Sequence, residues 1–187
     1  QPHPEETTIA ALAPELDALA AESMAEWKVP GLAIAVVHNG ETALLKAYGQ
    51  RDVEAGLPVT TETQFMICSI TKTFTAAGLA LLVDQGRLDW TKPVRDYIPE
   101  FRLHDPIATD RITVRDLLCH HSGLPRHDWV WMPGDLTPKQ MLAAMRHIEP
   151  SRDVRTAWQY SNLGYNAASI VAERTSGRSW EEFTRTE

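Results

Sequence analysis

Residues 64–86 read QFMICSITKTFTAAGLALLVDQG, an apolar lead-in followed by a run with helical periodicity. The large and small apolar residues of this run recur at i, i+4, i+7 and i+11, at Ile70, Phe74, Ala77 and Leu81. This spacing predicts a long helix, and Gly86 stands where a C-terminal cap belongs. Because residues 64–68 are mostly apolar, we expect this helix to start from inside the core, with Ser69 at its beginning.

Ser69 and Lys72 are three residues apart at the start of this helix, so their side chains lie on one face. Serine is a weak nucleophile unless a neighbouring base takes its proton, and the Lys72 amine can approach the hydroxyl. The positive end of the helix dipole holds developing negative charge and opposes protonation of the lysine. The alternative interpretation is that Ser69 only caps the helix and Lys72 is a solvated lysine.

Tyr160-Ser161-Asn162 stands about ninety residues further on, at the start of another predicted helix. A tyrosine acts as a general base when cations lower its pKa, and Lys72 can supply that charge. The Asn162 amide can accept from the lysine and donate to a substrate. Alternatively, Tyr160 is a core aromatic, and Ser161 or Asn162 caps the helix.

Residues 120–125 read HHSGLP, which predicts a structural turn, with Trp129 and Trp131 lining a cleft beside it. His120 and His121 invite a metal-site interpretation. Adjacent histidines rarely chelate one ion, however, and no H-E-x-x-H motif or carboxylate-rich set accompanies them. We therefore expect no metal and no cofactor.

The remaining pattern predicts a short sheet and several helices. We expect a loose tail at residues 1–8 and a helix at 14–27. A hairpin follows, with strands at 32–38 and 41–48 joined by Asn39-Gly40. Residues 51–63 are interpreted as a loop. Further helices are expected at 113–119, at 137–147, at 162–175, and from a capping box formed by Ser179 and Glu182.

The composition excludes some classes of function. Eighteen basic and 25 acidic residues give a net charge of −7, so no basic face is available for nucleic acid. No apolar run approaches the ~20 residues of a membrane span. The two cysteines, Cys68 and Cys119, are expected to be small buried thiols, with a single disulfide as the alternative. Because the sequence starts at Gln1, we expect a secreted or periplasmic protein that has lost a signal peptide, with a cytoplasmic one as the alternative.

Taken in order, several stretches resemble the serine β-lactamase and penicillin-binding-protein-like hydrolases. They are VPGLAIAVV at 29–37, SITK at 69–72, GRLD at 86–89, TVRDLL at 113–118, SGLP at 122–125 and YSNLGY at 160–165. The resemblance covers almost the whole chain from about residue 14. Tyr160 stands where the class A pattern has serine-aspartate-asparagine, which points to the class C branch.

The resemblance implies an α/β fold of the α+β type. We expect an antiparallel sheet flanked by helices and an all-helical subdomain, with only the first two strands and the helical region in this chain. The expected division is a tail at 1–13 and an incomplete catalytic domain at 14–187, with a helix and two strands at about 14–50 and a helical region at about 64–187. The family's third motif, a strand with lysine or histidine and a glycine, is expected in a C-terminal half of the same protein, either on a separate chain or after residue 187. We therefore expect these 187 residues alone to be inactive.

The resemblance also implies a serine hydrolase that forms an acyl-enzyme on amide-type substrates, either β-lactams or D-amino-acid peptides. Ser69 would be the nucleophile and its N–H one oxyanion donor, Lys72 and Tyr160 would share the proton transfers, and Asn162 would orient lysine and substrate. A carboxylesterase or transesterase is one alternative. A penicillin-binding or sensor protein without turnover is another, because fold does not imply function.

Overall fold

The computed structural model describes residues 9–187, which form two compact units, one ending at Met66 and the other spanning Ile67–Glu187. The tail predicted at residues 1–8 lies outside the described residues. Ile9–Leu12 forms a 3-10 turn that leads into the first helix. Among the residues described, no helix is both long and apolar enough to cross a membrane.

The first unit contains one helix and an antiparallel sheet. Helix α1 spans Ala13–Trp27, strand β1 spans Gly31–His38, and strand β2 spans Glu41–Asp52. Asn39 and Gly40 both have positive φ, 51° and 80°, as a two-residue turn matched to the twist of a hairpin requires. The predicted hairpin is therefore confirmed, and the two residues Asn39 and Gly40 are sufficient to explain its turn.

The loop predicted at 51–63 is partly wrong. Strand β2 runs on to Asp52, and a short strand β3 at Leu57–Pro58 pairs with it, giving the sheet order β1-β2-β3. The turn residues Gly56 and Pro58 suggested a loop, but a proline is accepted at a sheet edge, where no partner needs its missing N–H. The sheet therefore has three strands where the sequence predicted two.

The second unit is helical. Its helices are α2 Thr71–Asp84, α3 Pro106–Arg111, α4 Val114–Leu118, α5 Pro138–Ala144, α6 Asn162–Ser176 and α7 Trp180–Thr186. Thr113 and Thr137 make complete capping boxes, and the Ser179 hydroxyl accepts from the Glu182 N–H. These helix starts agree with the sequence, and the predicted class, α/β with an antiparallel sheet and a helical region, is confirmed.

Helix α6 forms the centre of the second unit. Seven of its residues are buried, and α2, α4, α5 and α7 all contact it. The core around it contains Leu79, Phe101, Leu117, Met145, Ile170 and Phe183. Tyr160-Ser161-Asn162, called the second motif below, leads into α6. Because Asn162 is the first residue of α6, the core holds the end of the helix that carries this motif.

The side of α2 that packs differs from the side that its spacing suggested. The buried residues of α2 are Thr75, Leu79 and Leu82, on the side that meets α6 and α7. The four residues whose period predicted the helix are exposed, at Ile70, Phe74, Ala77 and Leu81. Helix α2 is apolar on two sides, so periodicity alone predicts a helix without selecting its buried face.

Two further expectations about burial are wrong. The lead-in to Ser69 does not lie in the core, since Phe65, Met66 and Ile67 are exposed. Cys68 and Cys119 are also exposed, and neither forms a disulfide. Apolar side chains in a short lead-in are poor evidence of burial, because folded proteins leave much apolar surface in contact with solvent.

Candidate active site

Ser69 lies in a 3-10 turn, Cys68–Ile70, that runs directly into α2. The residue before it, Cys68, has φ 47°, in the left-handed region. This conformation costs roughly 1–2 kcal/mol for a residue with a Cβ. The turn leaves the Ser69 side chain exposed at the start of the helix, with Lys72 one turn further on.

The four predicted site residues come together in the second unit. The Ser69 Oγ lies 2.6 Å from the Tyr160 Oη and 3.3 Å from the Lys72 Nζ. The Lys72 Nζ donates to the Asn162 Oδ1 at 2.7 Å. A hydroxyl in contact with two titratable groups is the arrangement that nucleophile activation requires. The N-cap residue of α2 is Ile70 and not Ser69, while Ser161 is the N-cap residue of α6 but makes no side-chain capping bond.

Backbone hydrogen bonds tie the segment before Tyr160 to the turn at residues 120–125. The N–H groups of Ser151, Arg155 and Gln159 donate to carbonyls of this turn, at 2.8–3.1 Å. Gly123 has φ 74°, and a Cβ on it would lie 2.1 Å from the Arg152 carbonyl oxygen. The close approach of the two segments therefore requires glycine there. The turn predicted at residues 120–125 is structural and supports the second motif.

His120 was missed as a site residue and considered only as a metal ligand. It is buried, and its Nδ1 accepts a hydrogen bond from the Ser161 N–H at 3.1 Å. Its ring centroid lies 4.6 Å from that of Tyr160. Burial, with the charge of Lys72 and the neighbouring His121, lowers the pKa of His120. The neutral imidazole therefore keeps a lone pair for Ser161. Among residues 9–187, no cluster of three metal-ligating side chains is present.

Cations lie close to the Tyr160 phenol. The Lys72 Nζ lies 4.8 Å and the Arg126 Cζ lies 5.3 Å from the centroid of the Tyr160 ring. Partial burial raises the pKa of Tyr160, but Lys72, the hydrogen bond with Ser69 and the Arg126 charge together outweigh burial and lower the pKa below its ordinary value. Tyr160 therefore loses its phenolic proton more readily than free tyrosine does.

Asp128 is a second residue that the sequence analysis missed. Its carboxylate accepts from the Asn162 Nδ2 at 3.1 Å and from the Trp131 Nε1 at 2.9 Å, and it pairs with Arg126. Trp131, expected to line a cleft, thus binds the carboxylate behind Asn162, while Trp129 is 79% exposed. In the sequence, only its position three residues after Pro125 pointed to Asp128, and this position alone is weak evidence for a site residue.

The beta-lactamase family profile matches residues 16–187. The chain belongs to the beta-lactamase family. Curated relatives of this beta-lactamase-family chain include the "Unguisins hydrolase ungD'" of Aspergillus campestris, which is 34% identical over 171 residues, covering 84% of this chain and 31% of that protein.

Two solved structures of the beta-lactamase fold match closely. The octameric penicillin-binding protein homologue from Pyrococcus abyssi has a TM-score of 0.81 at 34% identity, over 92% of this chain and 41% of that one. A class C beta-lactamase has a TM-score of 0.80 at 26% identity, over 97% of this chain and 48% of that one. The resemblance to β-lactamases and penicillin-binding-protein-like hydrolases is confirmed. The chain spans less than half the length of each of these relatives.

Proposed function

We propose that the complete protein is a serine hydrolase that forms an acyl-enzyme on amide-type substrates, either β-lactams or D-amino-acid peptides. One observation carries the proposal: the Ser69 Oγ contacts both the Tyr160 Oη and the Lys72 Nζ, although Tyr160 is 91 residues away in sequence. The names of the beta-lactamase and penicillin-binding relatives support the amide class, since a β-lactam is a cyclic amide.

In this proposal Tyr160 accepts the Ser69 proton as the serine attacks the carbonyl carbon. It is the nearer of the two groups, at 2.6 Å against 3.3 Å for the Lys72 Nζ, and its pKa is lowered. Lys72 stabilises the negative charge of the Tyr160 phenolate and donates a hydrogen bond to Asn162. The proton then passes from Tyr160 to the substrate nitrogen as its bond to the carbonyl carbon breaks, and the acyl group stays on Ser69. A peptide releases this nitrogen as a free amine, whereas an opened β-lactam keeps it tethered to the acyl group.

The substrate carbonyl oxygen becomes an oxyanion as the serine attacks. The Ser69 N–H, at the positive end of α2, is one donor in this proposal. Water then attacks the acyl carbon while Tyr160 accepts its proton. Tyr160 returns this proton to the Ser69 Oγ as the acyl–oxygen bond breaks, which releases the acid and restores the serine. The rate of this second step separates a hydrolase from a protein that stays acylated.

The test is mass spectrometry of the complete protein after mixing with benzylpenicillin or a D-alanyl-D-alanine peptide. We expect a mass increase that maps to Ser69 and is absent in Ser69→Ala. It should persist in Ser151→Ala, which keeps its backbone N–H and removes an exposed hydroxyl that bonds Gln159 and none of the four site residues. An adduct or hydrolysis that survives Ser69→Ala would refute the proposal.

The same experiment separates the alternatives. Turnover of p-nitrophenyl esters without turnover of either amide would support the carboxylesterase. An adduct that outlasts many substrate lifetimes would support the sensor without turnover.

A further inference from the structure

Asp128 lies behind the proposed catalytic residues. It begins the 3-10 turn Asp128–Val130, and its side chain is 20% exposed. The Oδ1 atom accepts from the Asn162 amide and from the Trp131 indole N–H, and the Oδ2 atom accepts from the Arg126 Nε. The carboxylate therefore has three donors around it, one of which belongs to a predicted site residue.

The Asn162 amide has two chemically different ends, and each end has its own partner. Its Oδ1 accepts from the Lys72 ammonium at 2.7 Å, and its Nδ2 donates to the Asp128 carboxylate at 3.1 Å. A half-turn of the amide would set donor against donor at Lys72 and acceptor against acceptor at Asp128. Two hydrogen bonds would be replaced by two repulsions, so the pair of charged neighbours selects one orientation.

The selection depends on an ionised Asp128, because only the carboxylate lacks a donor. Partial burial raises the pKa of Asp128, but hydrogen bonds from Trp131, Arg126 and Asn162 outweigh it and hold the pKa below its usual range. Arg126 also lies against the Tyr160 ring, so its charge faces both the Asp128 carboxylate and the Tyr160 phenol. At neutral pH the carboxylate accepts hydrogen bonds and donates none.

We propose that Asp128 is a positioning residue for acylation, whose carboxylate holds the Asn162 amide with its oxygen toward Lys72. The ammonium of Lys72 is thereby kept beside the Ser69 Oγ and the Tyr160 ring. The inference rests on the proposed function, since it assigns Asp128 a role in the same acyl transfer. Asp128 itself touches no reacting atom.

The test is a double-mutant cycle in the complete protein, measured as the p-nitrophenol burst from p-nitrophenyl acetate. Asp128→Ala is expected to slow acylation about 10- to 100-fold, the range for losing a hydrogen bond to a charged group, with KM little changed. In the Asn162→Ala background the same substitution should have almost no further effect, because the amide it orients is gone.

Two further variants complete the test. Asp135→Ala removes an exposed carboxylate from the same segment and should leave the burst at the wild-type rate. Asp128→Asn keeps one acceptor oxygen, so it should recover part of the rate lost in Asp128→Ala, and it replaces that variant if alanine prevents folding.

Additive losses in the cycle, or a change in KM alone, would overturn the positioning role. A wild-type burst that does not depend on Ser69 would instead overturn the proposed function, so the two failures are distinguishable.

Discussion

Replacing Tyr160 with phenylalanine removes one oxygen atom from the proposed site and little else. The lost hydroxyl is the group 2.6 Å from the Ser69 Oγ. The ring that packs 4.6 Å from His120 remains, and so does the aromatic face near the Lys72 Nζ. We therefore expect Tyr160→Phe to fold normally and to fail in chemistry.

The magnitude follows from what the variant retains. General acid–base catalysis contributes typically 100- to 10,000-fold, about 3–5 kcal/mol at about 1.4 kcal/mol per tenfold. The Lys72 Nζ still lies 3.3 Å from the Ser69 Oγ, so its charge still stabilises the serine oxygen when water takes the proton in place of Tyr160. We therefore expect a loss of acylation rate in the lower half of that range, about 100- to 1,000-fold.

The assay is single-turnover acylation by a chromogenic β-lactam or ester, followed as a function of pH. In the wild type the rate should rise with pH as Tyr160 loses its proton, with a midpoint below about pH 10, because its folded pKa is lowered. Tyr160→Phe should lose this rise. Tyr165→Phe is the matched control, since its hydroxyl binds the Leu118 carbonyl. A loss below about tenfold in Tyr160→Phe, with the pH profile unchanged, would refute the assignment of Tyr160 as base.

Three further predictions concern stability, measured by urea unfolding of the complete protein. Because the folded pKa of His120 is lowered, the free energy of unfolding should fall as pH drops below about 6.5, and His120→Asn should remove this slope; an unchanged slope would contradict it. Asp116→Ala should cost about 2–4 kcal/mol, since the buried carboxylate accepts from the Thr113 N–H in the α4 capping box and binds Arg155; a cost near zero would refute the role of this pair. Gly123→Ala should cost more than about 2 kcal/mol through its positive φ and its contact with the Arg152 carbonyl, and a neutral effect would show that the two segments separate easily.

Much of the local structure was predictable from short stretches. The turn at Asn39-Gly40 and the caps at Thr113 and Thr137 depend on residues at most three positions apart. Their physical causes, tolerance of positive φ and side-chain bonds to free N–H groups, act within one turn of chain. The Ser69–Lys72 spacing belongs to this class, since one helical turn brings the two residues together.

The assembled site depended on contacts between distant segments. The pairing of Tyr160 with Ser69 was expected from the order of the motifs, but the contact itself spans 91 residues. His120 and Asp128 had no such signal, because a hydrogen bond from Ser161 or Asn162 exists only after α6 has packed. Nothing in a lone histidine or aspartate shows which backbone or amide will meet it.

By itself, then, the sequence predicted the hairpin, the starts of the helices other than α3, the family that the chain resembles, and the four residues of the proposed site. Tertiary structure alone decided that α2 buries Thr75, Leu79 and Leu82 and not the face with Phe74, and that Cys68 is exposed. It also placed His120 and Asp128 within hydrogen-bond distance of Ser161 and Asn162. The physical reason is range: backbone caps and turns act over a few residues, whereas burial and hydrogen bonding between segments depend on what the rest of the fold brings near.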